Sequence, residues 1–315
     1  MTARSLVPAP QRQEPVLSRR RGPRPVGEAG WGRTLLAAAV CLLYCLPLLA
    51  IVGYAFKTRN QVLVDADTLG ALLRTLVVFE PTLDNFRRIF VQPEMVGSSV
   101  RDTEFYWYFL NSGLVVGASV VCALVIGTPA AYGFSRFPPR GSGGLLVAIL
   151  ATRMLPPIVI TIPLFLLARL SGMIGSYAGI IALYTAFNLA FTIWMMKSFF
   201  DELPRDVEDA ARLDGSSETR VFLRICLPSV RGGLAATAVF ALILTWNELF
   251  FAMLLTDTAT RTVPPAMVIY LGAAGSADYG MLAAVVTLFL LPVMAVTYLL
   301  QGRLLRGVTF GTIRR

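Results

Sequence analysis

Apolar runs long enough to cross a bilayer alternate with short polar segments along this chain. They fall at about 34–56, 106–134, 145–167, 176–200, 232–255 and 281–300. A membrane-crossing helix needs about 20 mostly apolar residues, so the pattern predicts six spans. The first run exceeds the apolar core of a signal peptide, roughly 7–15 residues, which predicts an uncleaved span. The aromatic start of the second run, Phe105-Tyr106-Trp107-Tyr108-Phe109, suits an interfacial belt. Residues 1–30 are rich in Pro, Arg, Gly and Gln without apolar periodicity, which predicts a disordered tail. Residues 311–315 form a second, short tail. In the polar segment 57–105, Thr82 or Asp84 is placed to cap a short helix. Segments 135–144 and 256–280 read as a tight basic turn and a polar loop.

Composition supports an all-α integral membrane protein. Apolar residues make up 56% and charged residues 15%, with a mean hydropathy of +0.66; soluble domains carry about 25% charged residues. Histidine is absent, which removes the commonest general base and metal ligand. Cys41, Cys45, Cys122 and Cys226 form no CxxC pair and read as small buried hydrophobes. No catalytic or metal site is expected. The net charge of +9 does not point to nucleic acid, because the arginines cluster beside the apolar runs. Nineteen of the 28 Lys and Arg fall on the side that holds both tails and segment 201–228, against eight on the other. The positive-inside rule then places both termini and segment 201–228 in the cytoplasm.

Segment 201–228 carries the most specific pattern. Leu203-Pro204-Arg205-Asp206 suits a helix start, with Asp206, Glu208 and Asp209 at the positive end of the helix dipole. Val207, Ala210 and Ala211 form a small apolar face. Gly215 suits the left-handed position that ends a helix. Ser216 or Ser217 can then cap a second helix with Val221, Phe222 and Ile225 on its apolar side. From physics alone, this helix–turn–helix suits either a protein partner or the lipid headgroups; its face is too small and too acidic for strong membrane binding.

Ala210, Ala211, Gly215, Ile225, Leu227 and Pro228 match, at the right spacing, the EAA loop of binding-protein-dependent ABC transporter permeases. Asp209 stands where that pattern has Glu. The chain resembles this family, and its maltose-type carbohydrate members in particular, over about 34–310. Further similar stretches are Phe191–Phe200, Trp246–Phe251 and Met154–Pro163. The resemblance implies a type I ABC importer permease fold with a cytoplasmic coupling helix in 201–228. It also implies half of a pore for an oligosaccharide or disaccharide. ATP and Mg would be bound by separate ABC ATPase subunits, the second pore half would be a related permease chain in a heterodimer, and an extracytoplasmic solute-binding protein would deliver substrate. The chain itself would hold no cofactor. Glu208, Asp209, Ala210, Ala211, Asp214, Gly215, Ile225, Leu227 and Pro228 would form the ATPase-coupling element. Import of a polyol, glycerol phosphate, amino acid or peptide is the alternative within the superfamily. An ion-coupled carrier is the alternative outside it, and it would call for internal repeats that are not visible here.

Polar residues within the runs are expected along the substrate pathway: Arg153, Asn188, Thr192, Trp246, Asn247 and Glu248. A mid-membrane charge is costly and should face the bundle or a wet cavity. The same residues suit interhelical contacts equally well. Pro156, Pro157 and Pro163 interrupt the third run, which suits a cavity-lining helix or a packing kink. Gly113 and Gly117 suggest close helix packing within the subunit.

Overall fold

The computed structural model describes residues 31–64, 79–91, 94–96, 99–101, 105–270 and 278–309. The two tails, 1–30 and 311–315, lie outside the described residues. The chain divides into two compact units, 1–48 and 49–315. In the first, the described residues form the start of helix α1 (Trp31–Ala55), whose hydropathy of 2.7 suits a membrane span.

The second unit is built almost wholly from helices. After α1 come the short helices α2 (Arg59–Val64) and α3 (Asp84–Val91). Thr82 Oγ1 accepts the Asp84 N–H at 3.1 Å, as the capping pattern predicts. A three-residue antiparallel hairpin, β1 (Glu94–Val96) and β2 (Ser99–Arg101), adds an element with no clear sequence signal. The 32-residue helix α4 (Phe105–Arg136) follows. It packs along α7 (Tyr177–Asp201) and against α10 (Arg231–Trp246). The closing helix α13 (Tyr279–Thr309) packs on α10, with Trp246, Phe289 and Phe105 in their shared core.

Two expected spans are broken. In place of 145–167 stand α5 (Ser142–Ala151), running into a 3-10 turn at Thr152–Met154, and α6 (Pro157–Leu170), bent by 93° from it. Leu155 and Pro156 are extended, with ψ of 126° and 131°. A residue before proline avoids the helical region, and two prolines in succession enforce this twice. In place of 232–255, α10 stops at Trp246 and α11 (Phe250–Leu255) starts afresh. Asn247 Nδ2 donates back to the Ile243 carbonyl, and the Glu248 carboxylate takes the N–H groups of Phe251 and Ala252. Local side-chain bonds of this kind compete with helix continuation. Among the described residues, four helices are long and apolar enough to cross a membrane alone, and up to six spans result when two bent pairs each count as one: 142–154 with 157–170, and 218–229 with 231–246.

Part of the expected loop 256–280 is helical: α12 (Val263–Tyr270) begins Val-Pro-Pro, and proline is at ease in a first helical turn. A Cβ on Gly113 or Gly117 would meet nothing within 4 Å, so the close packing within the subunit expected of them is absent. Closeness falls elsewhere. A Cβ on Gly127 would lie 2.8 Å from Thr192 Cγ2, and one on Gly233 would strike the Phe199 ring.

Candidate functional site

Segment 201–230 folds as the helix–turn–helix read from sequence. Pro204 is extended and leads into α8 (Arg205–Leu213), with Asp206 and Glu208 in its first turn. Gly215 adopts φ 80°, a left-handed conformation that favours glycine, and the Ser216 N–H bonds the Ala211 carbonyl at 3.0 Å to close the helix end. The second helix, α9 (Glu218–Ser229), starts after Ser217, whose side chain makes no cap bond. It widens to a π turn at Phe222–Cys226, just before Pro228, which has no N–H to donate. It then meets α10 at a 73° bend. Val221 and Cys226 are buried and Phe222 half-buried, in a cluster with Ala131 and Tyr132 of α4 and Met196 and Phe200 of α7.

The two sides of α8 differ sharply. One side is open: Val207 is 55% and Leu213 89% exposed. Asp209, Ala210, Asp214 and Gly215 are exposed with them, as is Pro228 beyond. The other side is fixed to the end of α4. Glu208 is only 1% exposed. Its Oε1 accepts from Arg136 Nε at 2.7 Å and pairs with Nη2 at 2.6 Å; its Oε2 accepts from the Tyr132 hydroxyl at 3.2 Å and pairs with Arg212 at 3.4 Å. Arg136 also donates to the Leu203 carbonyl, which opens the segment. Burial disfavours the Glu208 carboxylate, but Arg136, by hydrogen bond and charge, outweighs it and holds the group below the usual carboxylate range. Arg212 bridges Asp209 and Glu218, each at 2.7 Å, tying α8 to α9.

Of the residues expected in the coupling element, Glu208 alone is fully buried. It belongs to the buried side of α8, about 100° around the helix from Val207. Ala211, Ile225 and Leu227 are half-buried, and Ala211 packs against the cluster shared by α4 and α7. Sequence reasoning missed Leu213, Arg136 and Tyr132. Leu213 sits three residues after Ala210, at helical spacing, and was legible. Arg136 and Tyr132 lie far away in sequence and left no local signal.

Within the membrane-crossing bundle, the breaks in the third and fifth spans meet at a small polar cavity of about 40 Å³. It is lined by Arg153, Tyr184, Asn188, Thr245 and Glu248 with the apolar Phe187, Leu244 and Phe251. Arg153 Nη2 approaches Asn188 Oδ1 at 3.5 Å, and Asn188 Nδ2 donates to Thr245 Oγ1 at 2.7 Å. Glu248 accepts the Tyr184 hydroxyl at 2.8 Å while capping α11. Arg153 and Glu248 thus share the cavity without forming the ion pair that sequence alone allows.

The remaining three pathway residues lie elsewhere. Trp246 is 5% exposed, stacked on Phe289 at 5.4 Å, and its Nε1 donates to the Phe289 carbonyl at 3.1 Å. Thr192 is fully buried against Gly127. Asn247 is exposed and bonded to its own helix. A polar or aromatic residue in an apolar run reports a need for partners, and here neighbouring helices meet that need for Trp246.

At the far end of α4, Asn111 Nδ2 donates to the carbonyls of Ala259 and Arg261, and Ser112 Oγ accepts the Val263 N–H. Tyr177 adds a bond to Asn111 Oδ1 at 2.7 Å. The intervening loop is closed by Asp257, whose carboxylate is held low by bonds from the Thr260 backbone and hydroxyl and the Ala259 N–H, against a smaller opposing effect of burial. Among the described residues, no group of three His, Cys, Asp or Glu side chains is placed to hold a metal.

Residues 123–310 match the family described as "Binding-protein-dependent transport system inner membrane component". The chain is 38% identical, over 75% of its length and 81% of the relative's, to "Probable ABC transporter permease protein y4oR" of Sinorhizobium fredii. It is 30% identical to "Trehalose transport system permease protein SugB" of Mycobacterium tuberculosis, over 85% of this chain and 92% of that one. A solved bacterial ABC transporter involved in the import of the acidic polysaccharide alginate shares the fold, with a TM-score of 0.68 at 20% identity over 86% of this chain and 94% of that one. With its family match, its apolar helices and its loop motif in agreement, the chain belongs to the inner-membrane permease components of binding-protein-dependent ABC transport systems and is a multi-pass membrane protein.

Proposed function

We propose that this chain forms half of the pore of an ATP-driven carbohydrate importer, and that α8 is the helix through which partner ATPase subunits drive it. The observation that carries the reading is the open face of α8. Leu213 is 89% exposed beside Val207 and Ala210 on a helix held rigidly from behind. A large apolar side chain held out to water on a fixed support is a docking knob. Asp209 and Asp214 flank it and suit a groove with basic residues. The positive-inside bias puts this face in the cytoplasm with both termini, where an ATPase would reach it.

The other assignments follow from the same frame. ATP and Mg would sit in the partner ATPases. A second, related permease would complete the pore, and an extracytoplasmic binding protein would deliver substrate. The carbohydrate class is supported by the trehalose permease relative and by the maltose-type motifs. Of the pathway residues, Arg153, Asn188 and Glu248 are those that converge on one cavity; at about 40 Å³ it admits water but no sugar ring, so solute contact there requires the surrounding helices to move apart. Asn247, exposed at the break in the fifth span, keeps its place on the proposed pathway outside that cavity.

The test is purification from the native membrane in mild detergent. An ABC ATPase, a second six-span permease and a binding protein should accompany the chain, and the ligand of the binding protein should be a sugar. A chain that comes out alone and stable would remove α8's partner and overturn the docking reading.

A further inference from the structure

The buried side of α8 needs explaining as much as its open side. Taking a carboxylate and a guanidinium out of water is costly, and hydrophobic replacements often serve stability better. Yet the Arg136 and Glu208 side chains are 5% and 2% exposed. Every nitrogen of the Arg136 guanidinium is used: Nε and Nη2 on Glu208, Nη2 also on the Leu203 carbonyl, and Nη1 on Ser135 Oγ. Ser135 in turn donates to Asp201 Oδ1 at 2.6 Å, and Lys197 holds the other oxygen of that carboxylate. Arg205, the first residue of α8, reaches the Ser135 carbonyl. The clamp thus joins α8 and the turn before it to the last turn of α4 at three points, residues 203, 205 and 208. A planar, multidentate guanidinium fixes orientation as well as distance.

What the clamp holds makes its placement informative. Arg136 ends α4, a single helix without a break from Phe105. At the opposite end the same helix carries Asn111 and Ser112, which hold the loop and helix start at 259–263. Along its length, α4 is in close contact with α7 where Gly127 meets Thr192. A displacement of α8 reaches α7 through the short connection 202–204, and it reaches α4 through Arg136. From there one continuous element leads through the bundle.

We propose that the Arg136–Glu208 pair is the joint that makes α4 follow α8, so that both are positioning residues for energy coupling with no contact to ATP or solute. This rests on the reading of α8 as the ATPase-docking helix. The joint predicts a separation: breaking it should leave the docking face of α8 able to bind the ATPase while movement is no longer passed on.

The experiment uses the complete transporter in proteoliposomes, with its ATPase, second permease and liganded binding protein. The readouts are ATPase co-purification and the ratio of hydrolysis with and without liganded binding protein. For Glu208→Gln, co-purification should persist while the stimulation ratio falls at least about fivefold, the lower end of common coupling energies. Arg136→Lys keeps a charge but not the fork and should fall between wild type and Glu208→Gln. The exchange Glu208→Arg with Arg136→Glu should restore part of the stimulation. Normal stimulation in Glu208→Gln would overturn the joint. So would a Glu208→Gln complex that fails to assemble and is not recovered by the exchange, since the pair would then serve folding alone. Failure of the docking reading looks different: the ATPase would be absent from wild type, or would remain fully bound to Leu213→Glu.

Discussion

The α8 segment and the polar cavity both draw on residues that look out of place, but they were legible to different degrees. Around α8, helical periodicity and a spaced motif set the elements and most of the open face: Ala210, Asp214 and Gly215 lie where their spacing puts them. Inside the bundle, residue type alone was a poor guide. Arg153, Asn188 and Glu248 converge on one cavity, while Trp246, read the same way, packs into the core against Phe289. The difference is physical. In water, a helix can leave one side exposed, and the sequence pattern records which side. In a bilayer each polar group must find a partner, and whether that partner is a helix or a solute depends on long-range packing that no local pattern encodes.

The largest effect should come from the open face. Ala210→Glu combined with Leu213→Glu places two further acids on a face already flanked by Asp209 and Asp214. Loss of a central interface anchor costs about 2–4 kcal/mol. Recovery of the ATPase with the purified permease should fall about 100-fold or more, while the permease remains extractable and monodisperse. Undiminished recovery would move the partner off this face and dissolve the contrast.

The cavity should respond differently. Arg153→Ala removes the guanidinium from the cavity but touches nothing in α8. Solute uptake should drop roughly 10-fold, the scale of a lost charged hydrogen bond, with ATPase co-purification unchanged. Trp246→Phe is the matching control in the core. It removes the bond to the Phe289 carbonyl and should lower stability by about 1 kcal/mol, read as a lower Tm in detergent, while uptake per folded complex stays normal. If Trp246→Phe instead changes solute selectivity at unchanged Tm, the ring belongs to the pathway after all.

The positions of the breaks also show what was hidden. Pro156 and Pro157 announced an interruption, and the 93° bend follows them. The break at Asn247 had no proline. It arises because Glu248 caps a new helix while hydrogen-bonded to Tyr184, 64 residues away in sequence. The close approach at Gly127 was equally silent, and the visible GxxxG at Gly113 and Gly117 proved open. Only knowledge of which helices touch separates a packing glycine from an idle one. Gly127→Ala should therefore cost about 1–3 kcal/mol through overpacking against Thr192, with Gly113→Ala near neutral, both measurable as Tm shifts.

The smallest expected effect concerns acidity, and it bears on the clamp that ties α8 to α4. Arg136 holds Glu208 ionised below the ordinary carboxylate range, despite burial. A group whose folded pKa is depressed contributes stability above its unfolded value, about 4.3 for Glu. That contribution is lost as pH falls through the lower folded value. Histidine is absent, so no imidazole titrates between pH 5 and 8. Amide exchange of residues 205–213, corrected for intrinsic rates, should therefore show the same protection at pH 8 and at pH 5. Protection that vanished already near pH 6 would mean the carboxylate is not held by Arg136, and α8 would then be free to move without α4.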